Sequence, residues 1–90
     1  MSIPDYQSIM LPLLKLAGDG KEHSMRDAIY EMGKLFKLTE EERRELLPSG
    51  QQEIFNNRVG WSRTYLVKAG LLQSPKRGFI KEALIIRLFP

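Results

Sequence analysis

Ninety residues are enough for one domain with a single, modest hydrophobic core. The composition, 42% hydrophobic and 28% charged, is typical of a folded globular protein, and there is no cysteine. Disulfides, thiolate chemistry and the common zinc modules are therefore excluded, and a single histidine cannot form a His-rich metal site. We therefore expect no metal and no cofactor. Because the sequence contains neither a long apolar span nor a signal peptide, we also expect a cytoplasmic domain without a membrane partner.

The charges are distributed unevenly along the chain. Residues 1–57 carry seven basic and ten acidic side chains, a net charge of −3, whereas residues 58–90 carry seven basic side chains and one acidic one, a net charge of +6. This asymmetry indicates a cationic surface for an anionic partner, with nucleic acid as the leading candidate. From charge alone, scattered cations on a solvated face remain the alternative.

The first element is predicted to be a helix. Apolar residues recur every three to four positions from Tyr6 to Ala17, and Pro4 is suited to a helix start. Pro12 lies inside this pattern, so the helix is expected either to kink there or to have an irregular first half. Residues 21–23 are long enough only for a turn or a brief edge strand.

Two capping signals predict the next two helices. Ser24 is a good N-cap for an amphipathic helix that continues to Phe36. Thr39 and Glu42 form a capping-box pattern, which predicts a short helix from Thr39 to about Leu47 with acidic residues in its first turn.

The C-terminal part predicts a third main helix and a hairpin. The helix runs from about Asn56 to Ala69, with Gly70 at its C-terminal cap. Residues 71–73 are predicted to be extended, residues 74–78 to form a turn, and residues 79–81 to begin a returning strand. The predicted fold is mainly α with a small β-hairpin, namely a winged helix-turn-helix with three main helices, a short extra helix and a C-terminal wing.

A helical wheel at 100° per residue separates two faces of the third main helix. The predicted core face carries Phe55, Val59, Ser62, Leu66 and Ala69. The opposite face carries Asn57, Gly60, Thr64, Val67 and Lys68, with Trp61 beside them. Arg58 and Tyr65 flank one edge of the core face, and Arg63 flanks the other. An exposed face of small polar residues rimmed by cations is suited to a recognition helix in the DNA major groove.

The candidate DNA contacts follow from this arrangement. Asn and Thr side chains can reach base edges, while Arg and Lys hold phosphates, and two cations at the hairpin tip would meet phosphates or a narrow minor groove. The candidates are Asn57, Arg58, Trp61, Arg63, Thr64, Lys68, Lys76 and Arg77. For Gly60 the alternative is that it is incidental or packs under the Thr39 helix. For Trp61 it is packing over the core edge under residues 48–54.

The sequence shows no catalytic constellation. His23 has no nearby nucleophile and is interpreted as a turn residue. No glycine-rich phosphate loop is present, and no strand-borne carboxylate pair accompanies a lysine as a metal-dependent nuclease would require. We therefore expect that the chain is not itself an enzyme.

Four segments resemble the N-terminal domain of Mrr-type restriction proteins: IPDYQSIMLPLLKLAGDGKEHSMRDAI, LTEEERRELLPSG, NRVGWSRTYLVKAGLL and SPKRG. The resemblance implies a winged-helix module that binds double-stranded DNA. In that family it precedes a nuclease domain of type IV systems, which cut modified, typically methylated, DNA. It also implies that five of the candidates, Asn57, Arg58, Trp61, Arg63 and Thr64, lie in the recognition helix, and Lys76 and Arg77 in the wing. A nuclease domain or subunit is the further partner implied.

The end of the sequence departs from the family pattern. We assign residues 1–82 to the DNA-binding domain and residues 83–90 to an apolar tail, which could extend the wing, pack on the first helix or form a dimer edge. Two alternative functions remain open at this point. One is a protein-interaction or homodimerisation module that uses Trp61 and the tail, and the other is a small transcriptional regulator that uses the same DNA-binding surface.

Overall fold

A computed structural model describes residues 3–83, which form four helices and three short strands. The helices are α1 (Tyr6–Ala17), α2 (Met25–Leu35), α3 (Glu40–Arg44) and α4 (Ile54–Lys68). The strands are β1 (His23–Ser24), β2 (Leu72–Gln73) and β3 (Phe79–Glu82). This order confirms the predicted mainly α, winged-helix-like fold. Beyond Ala83, the predicted tail lies outside the described residues.

Side-chain caps determine where the first three helices begin. Asp5 caps α1 by accepting a hydrogen bond from the Ser8 N–H at 2.8 Å, so the cap is Asp5 and Pro4 precedes it. The chain is helical on both sides of Pro12. Ser24 caps α2 as predicted, and Thr39 caps α3 with the complete capping box.

A single hydrophobic core lies between α1, α2, α4 and the sheet. Its buried apolar residues are Ile9, Leu13, Ala17, Ala28, Met32, Leu38, Phe55, Val59, Leu66, Leu72 and Ile80. The helical wheel therefore identified the core face of α4 correctly except at Ala69, which is exposed. The physical reason is that α4 ends at Lys68 and its last buried residue is Leu66, so Ala69 lies beyond the part of the helix that packs against the core.

The three strands form an antiparallel sheet with β3 in the centre. β2 and β3 form the predicted wing. For residues 21–23 a turn or a brief edge strand was expected; β1 is an edge strand that begins at His23, so His23 lies in a strand opposite Ile80 and not in a turn. Gly78 has a φ of 80°, which suits the turn into β3, and its carbonyl accepts a hydrogen bond from the Met25 N–H at 2.8 Å. The wing is thereby attached to the first residue of α2.

The segment between α3 and α4 differs from the prediction. α3 ends at Arg44, not near Leu47, because Glu45 is extended and its carbonyl accepts the Ile54 N–H at 2.8 Å. Leu46 pairs with Glu53 in an isolated antiparallel bridge, and α4 accordingly begins at Ile54, two residues earlier than expected. This hairpin-like loop holds residues 51–53 beside the first turn of α4.

Candidate nucleic-acid interface

The outward face of α4 contains a shallow, solvent-open concavity of about 230 Å³. Its lining residues are Gln52, Asn57, Gly60, Trp61, Arg63 and Thr64. Five of these lie on α4 over two turns, while Gln52 comes from the preceding loop. The structure therefore brings together Asn57, Trp61, Arg63 and Thr64, four of the eight candidate DNA contacts.

Two hydrogen bonds fix polar groups in this concavity. The Asn57 Nδ2 donates to Gln52 Oε1 at 3.1 Å, and the Thr64 hydroxyl donates to the Gly60 carbonyl at 3.0 Å. Because the Thr64 hydroxyl hydrogen is used by the helix backbone, what Thr64 offers to a ligand is its methyl group and hydroxyl lone pairs.

Gly60 leaves open space at the centre of this face. A Cβ at this position would meet no other side chain or segment within 4 Å among residues 3–83. The alternative that Gly60 packs under α3 is therefore wrong. What the glycine provides is an unobstructed approach to the α4 backbone.

Arg63 is half-buried at the edge of the concavity. Its Nε atom is buried and has no hydrogen-bond partner within residues 3–83. A buried donor without a partner is costly in a folded protein unless water or a ligand satisfies it. Within the described residues, Arg63 thus carries an unsatisfied donor beneath the concavity that its side chain helps to line.

Arg58 lies on the other side of α4 and belongs to the packing of α1. Its Nη1 donates to the carbonyls of Ile3 and Pro4, at 2.8 and 3.3 Å. The pKa of Asp5 is lowered mainly by hydrogen bonds from Ser8, and the positive charge of Arg58 contributes to this shift. The structure does not place Arg58 with the residues of the concavity; instead this side chain holds the segment that precedes α1 against α4.

Three aromatic rings form a row of contacts that leads from α1 to the edge of the concavity. Tyr6 stacks on Tyr65 with 4.9 Å between ring centroids, and Trp61 is tilted against Tyr65 at 6.0 Å. Trp61 remains 50% exposed and Tyr65 42% exposed. Tyr65 therefore supports one side of the Trp61 ring, and half of the Trp61 surface is accessible to a ligand.

The cationic side chains outside the concavity differ in whether they contact other side chains of the domain. Lys68 is exposed in the last turn of α4. On the wing, the Lys76 Nζ lies 3.7 Å from a carboxylate oxygen of Glu22 and 4.3 Å from the centre of the Phe79 ring. Arg77 is exposed and has no ion pair or hydrogen bond with residues 3–83. Arg77 is thus the more available cation of the wing tip.

Two residues of this surface, Gln52 and Glu22, were not predicted from the sequence. No periodicity extends to the loop that holds Gln52, because its form depends on the Leu46–Glu53 bridge. Glu22 follows the first helix, 54 residues before its partner Lys76, and only the pairing of β1 with β3 brings the two together.

Neither a metal site nor a membrane span is found in residues 3–83. These residues contain no group of three or more His, Asp or Glu side chains that could hold a metal ion. No helix formed by them has the length and apolar character needed to cross a bilayer.

The four helices and the wing define a winged-helix-like domain with a polar concavity on its exposed helix. The Mrr N-terminal domain family matches residues 6–81, and the chain belongs to this family. The chain is 33% identical over 79 residues to the type IV methyl-directed restriction enzyme EcoKMrr of Escherichia coli (strain K12). This match covers 87% of the chain but 26% of the relative, so the chain spans about a quarter of that enzyme's length. No solved structure matches the chain.

Proposed function

We propose that this chain binds double-stranded DNA and acts as the targeting module of a restriction system directed at modified DNA. The observation that carries the proposal is the concavity on the exposed face of α4, where Asn57, Thr64 and Arg63 converge. It lies on the helix that a winged-helix domain inserts into the major groove. Membership of the Mrr N-terminal domain family supports the same function.

The proposed contacts divide into two groups. Asn57 and Thr64 read base edges, with the half-exposed ring of Trp61 against a base or methyl group. Arg63, Lys68, Lys76 and Arg77 hold phosphates and supply most of the affinity. Arg58 stays a prediction from the sequence, and its bonds to the Ile3 and Pro4 carbonyls make it the weakest member of the set.

Cleavage is proposed to belong to another domain or subunit. The relative of known activity is about four times as long as the matched segment and is a restriction enzyme. We therefore expect the 90-residue chain to bind DNA without cutting it, and to direct a nuclease that is joined to it or associates with it.

Salt-dependent binding of a fluorescent duplex of about 25 base pairs tests this function. Steep weakening with rising salt is expected, and the double variant Arg63→Ala/Arg77→Ala should reduce the slope of log affinity against log salt by about two, or about one per lost phosphate contact. Lys15→Ala is the matched control, because Lys15 is an exposed cation of α1 outside this surface. Absence of binding at low salt contradicts the function, and equal slopes contradict these contacts.

Comparing methylated with unmethylated duplexes tests the restriction-system part of the proposal. A preference for methylated DNA supports targeting of modified sites. Equal affinity with a requirement for a palindromic site would favour the alternative of a small transcriptional regulator.

A protein-interaction module is the second candidate, and the exposed Trp61 and Tyr65 rings favour it. In this case Trp61→Ala should change the oligomeric mass measured by light scattering and leave DNA binding unaffected. If Trp61 contacts DNA, the mass stays constant and the affinity for DNA falls.

A further inference from the structure

The loop before α4 presents one side chain to the first turn of that helix, and this contact is the basis of the inference. Gln52 Oε1 accepts a hydrogen bond from Asn57 Nδ2 at 3.1 Å. The backbone of the same loop is held by the Leu47 N–H, which donates to the Gln52 carbonyl at 2.9 Å. Gln52 is therefore fixed at the backbone while its side chain orients the Asn57 amide.

The chemistry of the Asn57 amide determines what it can read. An asparagine amide recognises adenine in the major groove by accepting from the adenine N6 amino group and donating to N7. This contact uses Oδ1 and the amide hydrogen on the same side, whereas the second amide hydrogen is not needed. The hydrogen bond to Gln52 uses one of the two amide hydrogens, so the other amide hydrogen and Oδ1 remain for a base.

We propose that Asn57 reads an adenine in the major groove and that Gln52 is the positioning residue that orients its amide. This inference rests on the proposed function, because it names a base that the same surface recognises. Inside the concavity, Gly60 leaves room for a base edge, and the Thr64 methyl and Trp61 ring supply apolar surface. A thymine methyl group is the partner that such a surface fits, so the unit recognised is an A·T base pair.

Selection of bound sequences from a random duplex library tests the proposal with the full chain. Wild-type protein should enrich at least one position for adenine, and Asn57→Ala should lose that preference, with the selected duplex bound roughly 5- to 150-fold more weakly. Replacing this adenine by 7-deazaadenine removes the N7 acceptor and should weaken wild-type binding several-fold. The same replacement should have no effect on Asn57→Ala. Replacing the paired thymine by deoxyuridine removes its methyl group and should also weaken binding.

Two variants of Gln52 distinguish positioning from a purely structural role. Gln52→Glu keeps an oxygen acceptor for the Asn57 amide, so the adenine preference should persist although the added negative charge lowers affinity for every duplex. Gln52→Leu removes the acceptor and should abolish the preference. Arg77→Ala is the control for phosphate contacts, since it should weaken all duplexes by the same factor and leave the preference intact. Melting temperatures of all variants verify that they fold.

The outcomes separate this inference from the proposed function. Tight, salt-dependent binding without an adenine preference at any position overturns the inference and leaves the DNA-binding function standing. Enrichment of guanine at the position controlled by Asn57 overturns it as well, because guanine presents only acceptors at these major-groove positions and leaves the Asn57 Oδ1 without a donor. Absence of any DNA binding contradicts the proposed function itself.

Discussion

Replacement of Gly60 by alanine is expected to stabilise the domain while weakening its binding to DNA. Gly60 is the seventh residue of the 15-residue helix α4, well inside the helix. Alanine is favoured over glycine in a helix interior by about 0.8–1.0 kcal/mol. The new Cβ would meet no other side chain or segment within 4 Å among residues 3–83, so no steric cost offsets this gain.

The expected change is therefore an increase of about 1 kcal/mol in the free energy of unfolding, measured by urea denaturation. For a domain of this size, that increase corresponds to a rise in melting temperature of roughly 4–8 °C. Gly70→Ala is the matched control, because a Cβ at Gly70 also meets nothing within 4 Å in the described part of the chain. Its φ is 78°, however, where alanine is strained, so this variant should lose about 1–2 kcal/mol.

DNA affinity should change in the opposite direction from stability. The added methyl group projects from the lining of the concavity on α4, where the proposed function requires a base edge to approach the helix backbone. A stabilised Gly60→Ala variant that binds DNA as tightly as the wild type would refute the close approach of a base to the α4 backbone at this position. A variant with a lower melting temperature would refute the assignment of Gly60 to open space.

Three further predictions concern the wing, the core and the first helix. Glu22→Gln should strengthen DNA binding about two- to five-fold at low salt by releasing Lys76, and less at high salt; unchanged affinity would show that this exposed ion pair does not compete with DNA. Ser62→Ala should destabilise the domain by about 1 kcal/mol in urea denaturation, because the buried hydroxyl hydrogen-bonds to backbone carbonyls at 2.6 and 3.0 Å. Hydrogen bonds from Ser8 lower the pKa of Asp5 from its ordinary value of 3.8, so its contribution to stability is complete above that pH and is lost as the pH falls through the lowered pKa. Asp5→Asn should therefore give a shallower decrease of melting temperature below pH 4. A variant whose melting temperature falls as steeply as that of the wild type below pH 4 would contradict this role.

The sequence predicted elements that depend on local signals. The N-caps of α2 and α3 were predictable because a side-chain oxygen caps a backbone N–H only three residues ahead. The left-handed turn after α4 was predictable at Gly70, because its φ of 78° belongs to a conformation that glycine adopts without strain, although the C-cap itself is Ala69, one residue before the predicted cap. These features need no knowledge of the rest of the fold.

The misplaced boundaries have non-local causes. α3 stops at Arg44, and α4 starts at Ile54, because the bridge between Leu46 and Glu53 competes with helix extension at both ends. Helical periodicity contains no information about such a pairing. The same loop carries Gln52 to Asn57, so one unpredicted bridge accounts for the helix ends and for a missed residue of the candidate site.

The candidate site was predictable as one face of a helix, but the hydrogen-bond partners of its individual side chains were not. A wheel places Arg58 and Arg63 on opposite edges of the core face of α4, and both are equally basic in sequence. The fold then distinguishes them, since the N-terminal segment offers the carbonyls of Ile3 and Pro4 to Arg58, while Arg63 Nε has no partner within residues 3–83. Which arginine remains available for a ligand depends on contacts between residues about 55 positions apart.

The charge asymmetry of the sequence has a consequence for how the proposed DNA complex is oriented. The acidic side chains of residues 3–57 lie mainly on α2, α3 and their neighbouring loops, whereas the exposed Lys68 and Arg77 lie on α4 and the wing. A domain with this distribution is attracted to a polyanion through one side, and this attraction requires no particular base sequence. Base readout in the concavity is a separate, short-range contribution that begins only after that side has met the duplex. Loss of Arg77 should therefore weaken binding to all sequences equally, whereas loss of Asn57 should remove a preference among them. If either variant changed both the overall affinity and the base preference, the two contributions would not be independent.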